Sequence, residues 1–360
     1  MQLRKRLIPF LIAILLFVCC TKEGDTIYKP NPDEEQPSTA PLVTVIYDVN
    51  GLGDRSYNDK IFRGIESAAK KHGFRTLQLV PDSYEQGLAY LETVFRQMES
   101  AQDTVRRLFI TPCPGYDEFI RKNNRRLERN PYADLLYLET SPPLEGKGST
   151  FYIDYYGAMY MGGHLCQDYY SSKVILLVLA NPYTQWVVEA GEGFVDGFNS
   201  TPPKYNKTLK THYLSNEPGG GFHLADTTAL RIYQEAKVNE EDDVCVVPIC
   251  GGAMNAFFRI LPKFSYYVGV DDYVFSPLIK NYINVIKNID TVMEYYIDQW
   301  ADGTLPKHRT FGLRDGATDI YLSQFHYMSR EDHQELRQEA IRKEEERYEK
   351  QDGRRKMEDG

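Results

Sequence analysis

Short apolar runs alternate with segments of helical spacing along most of the chain. The apolar runs predict strands at 43–47, 76–80, 108–111, 135–138, 151–153, 173–179, 209–214, 243–249 and 266–270. Apolar residues three to four positions apart predict intervening helices at 84–100, 116–129, 156–170, 187–198 and 226–236. Repeated βα units of this kind indicate an α/β fold with two doubly wound sheets in tandem.

The first of these units, TVIYDVNGLGDRSYNDKIFRG at 44–64, places polar residues where a strand gives way to a helix. Asp48 ends the strand, and Ser56, Tyr57 and Asn58 stand at the start of the helix. Ligands of open α/β sheets bind at the carboxyl ends of the strands, and a helix N-terminus offers N–H groups to oxygen acceptors. This corner is therefore predicted to contact a small polar ligand.

The pattern changes after residue 270. Residues 277–300 predict one long helix, and 309–324 predict a final extended segment. We expect these late segments to cross back between two lobes and to form the hinge. The predicted lobes are 41–155 plus 275–305 and 156–274 plus 306–328. Residues 329–360 are almost entirely charged without an apolar stripe, which predicts a solvated tail.

The N-terminus has the features of an exported lipoprotein. A basic start is followed by the apolar run 7–18, which is too short to span a bilayer and is typical of a signal peptide within 1–20. Cys19 and Cys20 end the run as in a relaxed lipobox, and either is a candidate for lipidation. An ordinary secretory signal is the alternative. Residues 21–40 are rich in proline and charge and predict a flexible tether. We expect a membrane-anchored protein facing the periplasm or exterior.

Composition narrows the choice of partner. The chain has 360 residues, of which 42% are apolar, and this is enough for two separate cores. It carries 42 basic and 51 acidic side chains, so it lacks the positive charge that nucleic-acid binding requires.

Motifs for catalysis and for cofactors are absent from the sequence. It contains no HExxH, GxSxG or P-loop pattern, and its 7 histidines are scattered without metal-ligand spacing. In GLGDRS, Ser56 replaces the third glycine of a dinucleotide-binding fingerprint. We therefore predict no catalytic residue, no metal and no cofactor. For the four cysteines after the leader, both disulfides and buried thiols stay open: Cys113, Cys166, Cys245 and Cys250.

Carboxylates follow three of the predicted strands. Asp48, Glu139 and Asp271 would face one cleft if the strand ends converge, where they would accept hydrogen bonds from a ligand. The alternative is that each caps the following helix. Gly252, in a Gly-Gly pair after another strand, would allow close approach of the backbone to a ligand, or would simply form a tight turn.

Six blocks in order resemble the basic membrane protein family, the purine-nucleoside-receptor type of periplasmic binding lipoproteins. They are GDRSYND, YYGAMYMGG, GFVDGF, CGGAMNAFF, YVGVDDY and FGLRDGATDI, and the resemblance runs over 43–321. It implies a type I periplasmic-binding fold, in which two lobes joined by three crossovers enclose a nucleoside for delivery to an ABC permease.

The resemblance also implies roles for individual residues. Tyr57 would stack on the base, and Glu139 would lie where the family recognises the base. The remaining contacts would be polar groups of Asp48 and Asn58, the backbone of Gly252, and Asp271 and Lys287 at the ribose hydroxyls. Lys287 would lie in the crossover helix. The family's second stacking ring has no clear counterpart, and Phe222 and Trp186 are the candidates.

The sequence thus predicts a monomeric, lipid-anchored protein that binds a purine nucleoside for ABC-type uptake, without a catalytic step. Three alternatives stay open. The first is a binding protein of the same fold for a sugar or another metabolite, and the second is a sensor that reports to a membrane kinase. The third is a periplasmic nucleoside hydrolase.

Overall fold

The structure is a computed structural model that describes residues 39–49, 51–53, 57–100, 104–140, 143–202, 206–263, 265–274, 276–323 and 328–358. Its strands are β1 Leu42–Ile46, β2 Arg75–Leu79, β3 Arg107–Thr111, β4 Ala133–Tyr137, β5 Ser149–Ile153, β6 Val174–Leu179, β7 Thr208–Tyr213, β8 Val244–Ile249, β9 Tyr266–Asp271, β10 Lys280–Lys287, β11 His308–Phe311 and β12 Thr318–Leu322. Its α-helices are α1 Tyr57–His72, α2 Tyr84–Met98, α3 Asp117–Asn123, α4 Tyr156–Tyr169, α5 Gln185–Asn199, α6 Asp226–Ala236, α7 Met254–Ile260, α8 Ile289–Ala301 and α9 Arg330–Glu358.

Two six-stranded sheets each form the centre of one lobe. The first has the order β11-β5-β4-β3-β1-β2, with parallel pairing throughout. The second has the order β12-β10-β9-β8-β6-β7, and only β12 runs antiparallel to its neighbour. The predicted α/β class with two doubly wound sheets is confirmed.

Helices cover both faces of the first sheet. On one face α1 and α8 bury Ile61, Ile65 and Met293 against β1 and β3, and on the other α2 buries Leu91 and Phe95. Central strands covered on both faces are expected to be apolar throughout, and this is the case for VILLVL in β6 and VCVVPI in β8 of the second lobe.

Within the residues that the structure describes, the chain passes between the lobes at three crossovers. The first, 154–155, joins β5 to α4, and the second, Asn288, joins β10 to α8. The third, 312–317, joins β11 of the first sheet to β12 of the second. The backbone N–H of Asn288 donates to the carbonyl of Ala317 (2.8 Å), so the second and third crossovers lie side by side.

The late segments differ from the sequence prediction. The predicted long helix at 277–300 is wrong in its first half, where residues 280–287 form β10 and only 289–301 form a helix. The alternating Ile283 and Val285 are buried there because β10 pairs with β9 and β12. The lobe boundaries change accordingly: β10 belongs to the second sheet and β11 to the first.

The predicted solvated tail is also wrong. Residues 330–358 form α9, which packs on the second lobe. Leu336, Ala340 and Ile341 are its buried apolar residues. These three positions were too few to form a recognisable apolar stripe among their charged neighbours.

Candidate functional site

Two carboxylates at the carboxyl ends of strands have left-handed backbone conformations. Glu139 follows β4 of the first sheet with φ of 53°, and Asp271 ends β9 of the second sheet with φ of 69°. A residue with a side chain adopts this conformation at a cost of about 1–3 kcal/mol, and such strain concentrates at functional sites. The matching geometry in two lobes marks this part of the interlobe space as a candidate site.

A buried ion pair joins the two lobes at this place. The Lys287 ammonium lies 3.0 and 3.1 Å from the two carboxylate oxygens of Glu139. The side chains are only 4% and 13% exposed. Lys287 is the last residue of β10, so the expectation that it lies in the crossover helix is wrong. The strand end carries it into the interlobe space, opposite the end of β4.

Three aromatic rings surround the same ammonium. Its nitrogen lies 5.8 Å from the ring centroid of Tyr57, 5.1 Å from that of Tyr155 and 5.1 Å from that of Trp186. Tyr57 begins α1 of the first lobe, whereas Trp186 belongs to the first turn of α5 in the second. Phe222 packs against Trp186 with a centroid distance of 6.0 Å. These distances are within the range of cation–π attraction.

The two tyrosine hydroxyls act as hydrogen-bond donors in the site. Burial, followed by the Glu139 carboxylate, raises the pKa of Tyr57 well above its usual value. Burial and then the Asp271 charge do the same to the pKa of Tyr155. The Tyr155 hydroxyl donates to Asp271 Oδ1 (3.0 Å) and accepts from the Asp271 backbone N–H (3.0 Å). Both phenols therefore stay protonated at neutral pH.

Lys60 is a second buried lysine at the lobe interface. It lies on α1, and its ammonium donates to the backbone carbonyls of Asp271 (2.8 Å) and Lys287 (2.9 Å). It also lies 3.3 Å from Asp272 Oδ1, and its side chain is 6% exposed. A side chain of the first lobe thus fixes the ends of β9 and β10 in the second.

Sequence reasoning brought together part of this group and missed the rest. Tyr57, Glu139, Asp271 and Lys287 were predicted and are adjacent. Tyr155 and Lys60 were assigned no role from the sequence. The only signal for Lys60 was its place four residues before Gly64, on the face of α1 that packs against α8.

The structure also shows the surroundings of the remaining predicted ligand contacts. The Asp48 carboxylate accepts from the Val49 N–H (2.6 Å). It also adjoins Cys113, whose pKa rises to about 12 through burial and then the Asp48 charge. Asn58 is buried in the first turn of α1. Gly252 lies beside the backbone of Phe222. Ser56, Cys19 and Cys20 lie outside the described residues.

The arrangement offers groups for binding. It brings together ring faces, one ammonium donor, two phenol donors and two carboxylate acceptors from the two lobes. Cys113, Cys166, Cys245 and Cys250 are buried free thiols. Over the described ranges, no cluster of three or more histidine, cysteine or acidic side chains is arranged to hold a metal ion. Every described helix is too short or too polar to cross a bilayer.

Comparisons with known proteins bear on the fold. No protein-family model matches the sequence, and no curated protein matches it. An ABC transporter system solute-binding protein from Aeropyrum pernix K1 is 15% identical, with a TM-score of 0.59 over 85% of this chain and 86% of that chain. A transcriptional activator of the comK gene from Bacillus halodurans is 13% identical, with a TM-score of 0.62 over 84% of this chain and 96% of that chain.

A third structure is GanP, a glucose-galactose binding protein from Geobacillus stearothermophilus. It is 14% identical, with a TM-score of 0.53 over 80% of this chain and 99% of that chain. At these identities the likenesses show the fold alone, which binding proteins and transcription regulators share. The resemblance to the basic membrane protein family stays a prediction.

Proposed function

We propose that this protein captures a small polar ligand between its lobes, and that the ligand is a purine nucleoside. The observation that carries the proposal is the group around Lys287, in which ring faces and hydrogen-bonding groups from both lobes meet around one buried ammonium. A flat heteroaromatic ring with attached hydroxyls matches both kinds of group. Binding would proceed by closure of the two lobes, without a catalytic step.

The geometry suggests a division of roles. Tyr57 supplies a stacking ring from the first lobe, and Trp186, backed by Phe222, supplies the opposing ring from the second. Glu139 and Asp271 accept hydrogen bonds from ligand N–H and O–H groups, and Lys287 donates to ligand oxygens. In the present structure Lys287 and Glu139 bind each other, so the ligand would separate or extend this pair.

We propose the remaining contacts on the sequence resemblance. Asp48, Ser56 and Asn58 would complete the wall of the first lobe, and Gly252 would let the backbone of the second approach the sugar.

The cellular setting is part of the same proposal. The chain would be anchored in the cell envelope through Cys19 or Cys20 and would act as a monomer. It would hand its ligand to an ABC permease or report its presence to a membrane sensor. The shared fold with ABC transporter solute-binding proteins supports the first partner.

Titration calorimetry tests the nucleoside proposal. We expect inosine, guanosine or adenosine to bind with a dissociation constant in the micromolar range or below. Tyr57→Ala and Trp186→Ala should each weaken binding about tenfold or more, because each removes a stacking face. Tyr183→Ala removes an exposed tyrosine two residues before the helix that carries Trp186, and it should leave binding unchanged. Full affinity in Tyr57→Ala would contradict the assigned site.

A sugar is the second candidate. It is favoured by the fold shared with a glucose-galactose binding protein and by the opposed rings, which can also stack on a sugar. Glucose, galactose and xylose belong in the same titrations, and mass spectrometry of any ligand released from the purified protein identifies it directly. If none of these nucleosides or sugars binds, the nucleoside proposal is ruled out. Release of free base from inosine during incubation would instead identify a hydrolase.

A further inference from the structure

The C-terminal helix contacts the places where the chain changes lobes. Its buried side includes the carboxylate of Glu344, a residue that is only 7% exposed. Glu344 accepts hydrogen bonds from the backbone N–H of Gly157 (3.0 Å) and of Leu313 (2.9 Å). Gly157 lies in the first turn of α4, directly after the first crossover, and Leu313 lies within the third. One carboxylate therefore ties two crossovers together.

Two glycines leave the space that this carboxylate fills. A Cβ atom on Gly157 would lie 2.5 Å from Glu344 Oε2, and one on Gly312 would lie 2.1 Å from Oε1. Real Cβ atoms do not approach oxygen so closely. Gly157, just after the first crossover, and Gly312, within the third, thus lack a side chain at the point where α9 inserts its carboxyl group.

Arginines of α9 reinforce the same contact on either side. Arg337 donates to the carbonyl of Leu313 (2.6 Å). Arg347 lies 3.1 Å from Glu189 of α5 and 3.9 Å from Asp154 of the first crossover. Asp154 in turn accepts from the Tyr156 N–H (2.9 Å), which fixes the start of α4. A helix that only covered a surface would not need charged groups buried against the hinge.

We propose that α9 is a brace on the hinge, and that Glu344 is a positioning residue that sets the angle between the lobes. The carboxylate holds the first and third crossovers at a fixed separation, and α9 anchors both to the second lobe. Opening of the cleft rotates these crossovers and loosens the bonds to Gly157 and Leu313. The inference deepens the proposed function, because the lobe angle matters only if a ligand is held between the lobes.

Distances between spin labels on the two lobes test the brace without any ligand. Labels on cysteines replacing Val80 and Asn216 would report the width of the cleft mouth, because these exposed residues follow the outer strands β2 and β7. Cys19 and Cys20 are changed to serine, and the buried native thiols react little. We expect Glu344→Ala to lengthen the mean distance and broaden its distribution, with the far-ultraviolet circular dichroism unchanged.

Matched variants separate the brace from a general loss of stability. Glu345→Ala removes the neighbouring carboxylate, which bonds to Arg314 on the surface, and should leave the distances unchanged. Gly157→Ala should reproduce Glu344→Ala, because its methyl group expels the carboxylate. The double variant should be no worse than either single one.

Two results would overturn the brace. One is a wild-type distance distribution in Glu344→Ala, and the other is additive effects in the double variant. Should Glu344→Ala fail to fold, Glu344→Asp, which shortens the reach by one methylene, takes its place with the same expectations. These distances are measured without ligand. The brace can therefore be disproved while nucleoside binding is confirmed, and nucleoside binding can be disproved while the brace is confirmed.

Discussion

Lys287 holds a positive charge in a space where water has little access. Two things stabilise it there: the paired carboxylate of Glu139 and the ring faces of Tyr57, Tyr155 and Trp186. Removal of one partner of a buried pair leaves the other charge uncompensated, which costs more than the pair itself contributes. The stability of the free protein therefore depends on the same atoms that are proposed to bind the ligand.

Lys287→Met should lower the free energy of unfolding by about 3 kcal/mol, because it leaves the buried Glu139 carboxylate without a compensating positive charge. Methionine is a suitable replacement, since its thioether packs well against aromatic rings. Urea denaturation followed by circular dichroism measures the change. Adding Glu139→Gln should restore part of the loss, because the second change removes the unpaired charge.

A matched control is Lys71→Met, which breaks an exposed ion pair with Asp298. It should change stability little, because surface pairs are weak in water. Two results would contradict this account of the buried pair. One is a loss of stability in Lys287→Met as small as that in the control, and the other is a further loss of stability when Glu139→Gln is added.

At the scale of single residues, the sequence predicted what stands next to a strand end and little else. Glu139 and Asp271 could be named because they directly follow apolar runs. Their left-handed backbone could not be foreseen, because residues with a side chain rarely adopt it and no local pattern in the sequence marks it. Lys60 was missed because it bonds to carbonyls more than 200 positions away in the chain, and no local pattern records that.

At the scale of elements, α4 and α5 cross each other through glycines. A Cβ on Gly163 would lie 2.0 Å from the Phe194 carbonyl oxygen, and one on Gly197 would lie 1.9 Å from that of Tyr160. The two backbones are thus close enough to touch. Two of the sequence blocks that resemble the basic membrane protein family, YYGAMYMGG and GFVDGF, contribute Gly163 and Gly197 to this crossing, and the first block also contributes Tyr155 to the candidate site.

Gly197→Ala should destabilise the protein by about 1–3 kcal/mol, because the added methyl group meets backbone that can move only if the helices separate. Alanine is intrinsically the better helix former by about 1 kcal/mol, so a loss of stability would point to the close contact between the two helices. Thermal and urea unfolding of the purified variant measure the loss.

The matched control lies on the same helix. In Gly191→Ala the atoms nearest to the new methyl group would be side-chain atoms of Leu179, at 3.1 Å, and not backbone atoms. We expect this variant to be nearly neutral or slightly more stable than the wild type. Equal losses in the two variants would show that the close backbone contact is not what makes Gly197 necessary.

Element prediction failed where pairing decided the conformation. The segment 280–287 has spacing compatible with a helix, yet β9 and β12 on its two sides make it a strand. The tail was misjudged for a different reason. Its interactions with the body of the protein are mainly polar, through the backbone hydrogen bonds of Glu344 and the ion pairs of Arg347, and hydrophobic periodicity does not detect contacts of that kind.

At the scale of the whole molecule, the tail brings several carboxylates together beside the hinge. Burial and then the Glu189 charge raise the pKa of Asp154 to about 7. Burial and then the Asp154 charge raise the pKa of Glu344 to about 8. The other charged or titratable groups facing this pair are Tyr152 of β5, Glu189 and Glu192 of α5, Asp315 of the third crossover, and Arg347 of α9.

This pair should make the protein less stable as the pH rises from 6.5 to 8. The folded state retains protons on the pair that the unfolded chain has already lost, so stability falls by about 1.4 kcal/mol per pH unit for each retained proton. Urea denaturation at several pH values measures the slope.

Asp154→Asn should flatten the dependence of stability on pH, because it removes one titrating group and lowers the pKa of Glu344. Asp226→Asn is the control: Arg259 lowers the pKa of Asp226, so this carboxylate does not titrate in the window. A stability that is constant or rises over this range would show that the pair is fully ionised in the folded protein, and that α9 docks on the hinge despite the repulsion.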